Sequence, residues 1–191
     1  MSRIVSFLTA LLVAGCASTS PGGSPAATDR AAVPADSSVA ATSAPPAVGD
    51  PLLDLVLTDV RTGTTFTLAE LATDRPVLVE TMAIWCTTCL GQQREVVRAH
   101  GLGEFHSVGI DVDPNERAAD LAGYAEREGF DWPFVVADAQ LVRLLTERFG
   151  FEVTNPPSTP TFVVSPAGGI RALEFGRVRS AEELIGELGQ D

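Results

Sequence analysis

The stretch PVLVETMAIWCTTCLGQQREV, residues 76–96, decides the fold that the sequence predicts. It begins with a near-continuous apolar run of strand length, 76–83, which is typical of a central strand buried on both faces. Two cysteines, Cys86 and Cys89, follow at the carboxyl end of this strand, and a helical pattern runs from Cys86 to about His100. The pair is therefore expected between a buried strand and the N-terminus of a helix.

Strand and helix patterns alternate on both sides of this stretch. Further strands are predicted over 52–60, 64–68, 106–112, 133–137, 161–165 and 170–176. Helix starts are predicted at Thr67 with Glu70, at Asp113 with Pro114 and Glu116, at Asp138, and at Ser180 with Glu183, because these residues have capping spacing. This order predicts an α/β fold with parallel crossovers first and an antiparallel hairpin late.

The cysteine pair has the spacing of a redox dithiol. A thiolate at Cys86 would meet unpaired N–H groups and the positive end of the helix dipole, which stabilise it. Cys89, one turn further on, is close enough to resolve a mixed disulfide formed by Cys86. A structural staple is the weaker interpretation, because a disulfide that closes a two-residue loop adds little chain-entropy stabilisation.

A zinc site is a second interpretation of the same residues. Cys86 and Cys89, followed by His100 and His106, lie near the spacing of a site with two cysteines and two histidines. Such a site needs a small autonomous fold, whereas these residues are part of a longer α/β pattern. We therefore expect no metal here, with the two histidines at a helix end and a strand edge.

The chain begins with residues that resemble a bacterial lipoprotein signal. Residues 1–16 combine Arg3, an apolar stretch too short to span a bilayer, and Val-Ala-Gly-Cys ending at Cys16, the predicted site of the lipid anchor. An ordinary cleaved secretory signal is the alternative. Residues 17–50 are rich in Ala, Ser, Thr, Pro and Gly and predict a disordered tether. Residues 51–191 then form a single predicted domain.

The overall charge excludes some functions. The formal net charge is -12, and all 13 basic residues are arginine. A nucleic-acid partner is therefore not expected, and no reaction that needs a lysine Schiff base is available.

Two motifs together resemble the thioredoxin superfamily. Trp85-Cys86-Thr87-Thr88-Cys89 follows a buried strand, and Thr159-Pro160-Thr161 comes about seventy residues later. With the lipid-anchor signal and the proline-rich tether, the chain is most similar to membrane-anchored TlpA/ResA-type thiol–disulfide oxidoreductases. The resemblance covers about 51–188. It implies a thioredoxin-like fold, with a central mixed sheet flanked by helices and an N-terminal strand extension.

The resemblance also implies roles for individual residues. Pro160 would be cis beside the cysteines, and the backbone at Thr159 would dock the partner; an ordinary edge-strand proline is the alternative. Glu80 would be a buried acid that takes the proton from Cys89, unless it faces solvent at the strand end. Trp85 would flank the site.

Departures from the family leave the direction of electron flow open. Family members of the reducing kind often have proline where this chain has Thr88, and Thr81-Met82 replace the usual aromatic pair. The usual companion lysine of the buried acid is missing, so that Glu80 would be neutralised more easily or paired with an arginine.

These observations predict a membrane-tethered extracytoplasmic oxidoreductase without a cofactor. Its partners would be proteins with a disulfide or dithiol and a membrane electron donor, and by resemblance it would act as a reductant in cytochrome c or copper-centre assembly. The alternative is a copper-binding assembly factor with Cys86 and Cys89 as soft ligands.

Overall fold

A computed structural model describes residues 49–190 of the chain. The predicted signal, the anchor at Cys16 and nearly all of the predicted tether lie outside the described residues. The strands are β1 (Leu57–Thr58), β2 (Thr65–Phe66), β3 (Val77–Met82), β4 (His106–Asp111), β5 (Phe134–Val136), β6 (Thr161–Val164) and β7 (Ile170–Ala172). The helices are α1 (Leu68–Leu71), α2 (Thr87–His100), α3 (Ala118–Glu128), α4 (Ala139–Phe149) and α5 (Ala181–Leu188), with 3-10 turns at Phe151–Thr154 and Pro156–Ser158.

Strands β3 to β7 form one mixed sheet in the order β5-β4-β3-β6-β7. Strands β3, β4 and β5 are parallel, whereas β6 is antiparallel to both β3 and β7. This confirms the predicted order of parallel crossovers and a late hairpin. The fold is thioredoxin-like.

The central strand β3 separates two apolar layers. All six of its residues are buried. Leu78 and Met82 pack in the same cluster as the two cysteines, whereas Val77 and Val79 pack in the cluster on the opposite face. Because side chains alternate along a strand, Glu80 faces the layer that contains the cysteines.

Three of the four predicted helix starts are confirmed. Capping boxes form at Thr67 with Glu70 and at Ser180 with Glu183, and the Asp138 side chain accepts the N–H of Leu141 at 2.8 Å. The prediction for Asp113 is wrong, because α3 begins at Ala118 and its N-cap residue makes no side-chain capping bond. Asp113 and Glu116 instead bind the segment before the cysteines, as described below.

The N-terminal strand extension is present but shorter than predicted. Residues 51–55 form turns and bends, and β1 pairs only with β2 in a small hairpin. This hairpin is attached to the outer edge of β5, because Val60 N–H donates to the carbonyl of Phe134 at 2.8 Å and Asp59 accepts the N–H of Phe134 at 3.2 Å. Within residues 49–190, no helix is long and apolar enough to cross a membrane.

Candidate active site

Cys86 and Cys89 form a disulfide at the N-terminus of α2. Cys86 is the N-cap residue of this helix, and its Sγ accepts the N–H of Cys89 at 3.1 Å. This N–H is one of the orphan donors of the first helical turn, so it stabilises negative charge that develops on the Cys86 sulfur. The helix therefore favours Cys86 as the thiolate of the reduced pair.

Cys89 faces a carbonyl group rather than an N–H donor. Its Sγ lies 3.1 Å from the carbonyl oxygen of Pro156, in the second 3-10 turn. A carbonyl oxygen accepts a hydrogen bond from a thiol, but it repels a thiolate. The two sulfurs thus have opposite surroundings, because one meets a donor and the other an acceptor. In the reduced pair this arrangement would favour the thiol form of Cys89.

Glu80 is a buried carboxyl group that forms no ion pair with the other residues of 49–190. Its side chain is only slightly exposed, and its Oε1 has no hydrogen-bond partner among the described residues. Burial raises the pKa of Glu80 from 4.5 to about 8, so that the group is protonated at neutral pH. The structure thereby supports the buried position predicted for Glu80 over the solvent-facing alternative. The suggested pairing with an arginine is absent from the ion pairs of residues 49–190.

A narrow crevice connects Glu80 with the cysteine pair. Glu80, Cys89, Gln92 and Thr159 line it, and the space between their side chains does not admit a water molecule. Gly109 is paired with Glu80 on the neighbouring strand β4, and a Cβ at this glycine would lie 2.5 Å from the ring of Phe134. The ring of Phe134 thus fills the space that a side chain at position 109 would take. No cationic side chain at this position can approach Glu80, whose carboxyl group stays desolvated.

Thr159 lines the same crevice as Cys89, and its peptide bond to Pro160 is not the cis bond that the resemblance implies. No peptide bond in residues 49–190 is cis. Instead, Thr159 reverses the chain with a φ of 45°, in the left-handed region, where its N–H donates to the carbonyl of Pro156 at 2.8 Å. Its hydroxyl donates to the carbonyl of Arg177 at 2.8 Å. Left-handed backbone is rare for a β-branched residue, so this turn holds local strain.

Trp85, which directly precedes Cys86 of the disulfide, is an exposed side chain. Its side chain is 57% exposed, and its indole N–H donates to Asp113 Oδ2 at 2.7 Å. The preceding residue, Ile84, donates its N–H to both carboxylate oxygens of Glu116, at 2.8 and 3.1 Å. Our sequence prediction assigned both carboxylates to a helix cap and missed their contacts with this segment. The available signal was that they follow β4 directly, because the carboxyl ends of parallel strands meet at the same edge of a sheet.

The residues of the alternative zinc site are not brought together. The cysteines lie at the start of α2 and His100 at its end, which separates them by about 20 Å along a helix of this length. His100 stacks on Phe105 with ring centroids 4.0 Å apart, and His106 contacts Asp74 at 3.1 Å. Each histidine thus has a structural role in the part of the chain that the structure describes.

No protein-family model matches the chain, and no curated protein matches it. Many solved structures are similar in fold. A secreted disulfide oxidoreductase of Mycobacterium tuberculosis is 16% identical, with a TM-score of 0.57, and the match covers 73% of this chain and 98% of that chain.

Two further solved structures have the same fold. A thiol:disulfide interchange protein of the thioredoxin family from Chlorobium tepidum is 22% identical, with a TM-score of 0.53 and coverage of 68% and 87%. A SCO1/SenC family lipoprotein from Bacillus anthracis is 14% identical, with a TM-score of 0.53 and coverage of 70% and 90%. At these identities the similarity establishes the thioredoxin-like fold, and the functional assignment depends on the site itself.

Proposed function

We propose that this chain is a protein thiol–disulfide oxidoreductase that uses Cys86 and Cys89. The observation that carries the proposal is the disulfide at the N-terminus of α2, with one sulfur facing an N–H donor and the other a carbonyl oxygen. The similarity in fold to thiol–disulfide oxidoreductases supports it.

In the first step, the Cys86 thiolate attacks a disulfide of the partner protein. A bond forms between Cys86 Sγ and one partner sulfur, and the other partner sulfur leaves as a thiolate that takes a proton from solvent. The N–H of Cys89 and the dipole of α2 favour the attacking thiolate.

In the second step, Cys89 resolves the mixed disulfide. Its thiol gives up a proton, its sulfur bonds to Cys86 Sγ, and the second partner sulfur leaves. Two electrons have then passed from the dithiol to the partner. Glu80 lines the same crevice as Cys89, and its pKa of about 8 is close to that of a thiol, so its ionised form, the minor form at neutral pH, would accept this proton. When an electron donor reduces the disulfide again, protonated Glu80 returns the proton to Cys89.

The partner would dock at exposed Trp85 and at the turn Thr159–Pro160, whose two residues are buried in this structure. Trp85 is exposed beside Cys86, and Phe151, which starts the first 3-10 turn before this loop, is 86% exposed. Both provide apolar area for a polypeptide. The backbone N–H of Thr159 already donates to Pro156, so docking through it requires the turn to open.

We further propose that the protein works outside the cytoplasm, held at the membrane by lipid on Cys16, and that it acts as a reductant fed by a membrane electron donor. The lipobox-like start, the tether-like composition and the resemblance to TlpA/ResA-type proteins support this role, which extends to cytochrome c or copper-centre assembly. Metabolic labelling of cells with a fatty-acid analogue tests the anchor, because Cys16→Ser should lose the label and Cys86→Ser should retain it.

A trapping experiment tests the oxidoreductase function. In cells that express the full chain with Cys89→Ala, we expect mixed disulfides at Cys86 that dithiothreitol releases and that disappear in the Cys86→Ala, Cys89→Ala double variant. Purified wild-type protein should also exchange disulfides with a dithiol. If neither exchange nor trapping occurs, the proposal is wrong.

Titration with Cu(I) under reducing conditions separates this function from the copper-binding alternative. A copper-binding factor should bind one Cu(I) tightly and lose it in the Cys86→Ser variant. No group of three or more His, Cys, Asp or Glu side chains in residues 49–190 is arranged to hold a metal ion. We therefore expect no third ligand from these residues, and tight binding of one Cu(I) by the reduced pair would favour the copper-binding alternative.

A further inference from the structure

The turn that presents Cys86 is held by carboxylates from another part of the chain. Residues 83–86 form this turn, closed by the N–H of Cys86 to the carbonyl of Ala83 at 3.0 Å. Its two central residues are both bound from outside, Ile84 by Glu116 through its N–H and Trp85 by Asp113 through its indole. The segment that follows β4 thus fixes the direction from which Cys86 meets a partner.

A third carboxyl group, that of Asp111, comes shortly before Asp113 and Glu116 in the chain. Asp111 ends β4 and is fully buried, and its Oδ1 accepts the N–H of Asp113 at 2.9 Å. Its Oδ2 is buried and has no donor among the described residues, and hydrogen bonding with the side chain of Glu116 is one of the causes that raise the pKa of Asp111. Two ionised carboxylates cannot hydrogen-bond to each other, because both are acceptors. A proton between them gives Oδ2 a partner.

We propose that Asp111 and Glu116 share one proton and act as a positioning pair that holds the turn presenting Cys86. In this arrangement Asp111 is the protonated member, because Glu116 already accepts the N–H of Ile84 and needs its charge to do so strongly. Protonated Asp111 donates from Oδ2 to Glu116, and Glu116 holds Ile84. The importance of this turn for Cys86 rests on the proposed function.

The pair makes the turn sensitive to alkaline pH. Burial, together with the charges of Glu116 and Asp113, raises the pKa of Asp111 to about 8. The charged groups that affect Asp111 are these two carboxylates, both on the segment after β4. Above this pH the buried carboxylate of Asp111 and the partly exposed one of Glu116 repel each other, Glu116 withdraws from Ile84, and the turn with Trp85 loosens.

The fluorescence of Trp85 reports directly on the turn. The chain has two tryptophans, so Trp132→Phe leaves Trp85 as the single emitter. Glu80→Gln is included in the background, because Glu80 titrates in the same range. In the oxidised full chain with both changes, we expect a transition in the Trp85 emission with a midpoint near pH 8. Asp111→Asn should abolish this transition, because the amide stays neutral and still donates to Glu116.

Two further variants make the test specific. Glu116→Gln should also abolish the transition, because it removes the second carboxylate, while its amide can donate to ionised Asp111 and its carbonyl oxygen can accept the N–H of Ile84. Asp54→Asn changes an exposed aspartate in the same way and should leave the transition unaltered. The unfolding midpoint of Asp111→Asn at pH 6 should match that of its parent, which shows that the variant is folded.

The proposal is overturned if no transition occurs in the parent protein or if the transition persists in Asp111→Asn. Because emission of the oxidised protein needs no partner and no thiol exchange, this result is independent of the oxidoreductase assays. A protein without exchange activity but with the transition would refute the proposed function and leave the carboxyl pair in place.

Discussion

Glu80 is one of two buried carboxyl groups whose ionisation affects stability, and Asp111 is the other. The pKa of Glu80 is raised from 4.5 in the unfolded chain to about 8 in the folded protein, because the carboxyl group is buried without a charge partner. Between these two values the folded state binds more protons than the unfolded state, so the stability that protonation provides is complete below pH 4.5 and is lost as pH rises through 8. The full effect is at most about 5 kcal/mol, from about 1.4 kcal/mol for each pH unit.

We predict that Glu80→Gln removes a large part of this pH dependence. Urea unfolding of the oxidised protein at pH 5, 6, 7 and 8 should show wild-type stability falling across the range and a flatter profile for the variant. Glu126→Gln, an exposed glutamate on α3, is the matched control and should follow the wild type. Parallel profiles for wild type and Glu80→Gln would show that Glu80 is not protonated in the folded state.

At the same residue scale, two substitutions compare Asp138, which caps its helix as predicted, with Asp113, which does not cap α3. Asp138→Ala removes the bond to the N–H of Leu141 and should destabilise the protein by about 1 kcal/mol.

Asp113→Ala removes the acceptor of the Trp85 indole, and we expect a shift in Trp85 emission in the Trp132→Phe background. An unaltered spectrum would contradict the role of Asp113 described here.

At the scale of elements, one buried hydrogen bond joins β3 to the loop that contacts Cys89. The hydroxyl of Thr81 donates to the carbonyl of Val153 at 2.6 Å, and Thr81 is 1% exposed. This bond fixes the first 3-10 turn, and the second one follows it with Pro156 against Cys89. The position of the resolving sulfur therefore depends on a residue of the central strand.

We predict that Thr81→Val destabilises the protein by about 1–3 kcal/mol, because the shape is kept while the buried Val153 carbonyl loses its donor. Denaturant unfolding at constant pH measures this change. Thr73→Val removes an exposed hydroxyl that donates to the carbonyl of Glu70, and it should change stability by less than about 0.5 kcal/mol. Equal effects of the two substitutions would refute the special position of Thr81.

At the scale of the whole molecule, the negative charge selects among partners. With a net charge of -12, the protein attracts cationic polypeptides to the site and repels anionic ones. This long-range effect acts on the rate of association and is screened by salt within about 10 Å at 0.1 M ionic strength.

We therefore predict faster exchange with a cationic disulfide peptide than with an anionic one of the same length. Stopped-flow measurement of the exchange rate at about 20 mM and about 500 mM ionic strength should show a difference that largely disappears at the higher value. A peptide pair with neutral side chains corrects for the effect of salt on the chemistry. A preference that is independent of salt would point to contacts at the docking surface instead.

The sequence alone determined the features that depend on neighbouring residues. The apolar run of β3, the two cysteines at the start of α2 and the capping boxes at Thr67 and Ser180 are local patterns, and their local hydrogen bonds form in the structure as predicted. Together with the Thr-Pro-Thr motif, they were sufficient to predict the fold and the location of the reactive pair.

Only the tertiary structure decided what surrounds that pair. Cys89 meets the carbonyl of Pro156, which is 67 positions away, and Ile84 meets Glu116, which is 32 positions away. The capping spacing of Asp113 was misleading, because its Oδ1 caps only a short turn through the N–H of Asn115, and its Oδ2 accepts the indole N–H of Trp85, 28 positions away. Such partners are chosen by the packing of strands and loops against each other, and the unmet hydrogen-bonding needs of buried groups then fix which residues pair.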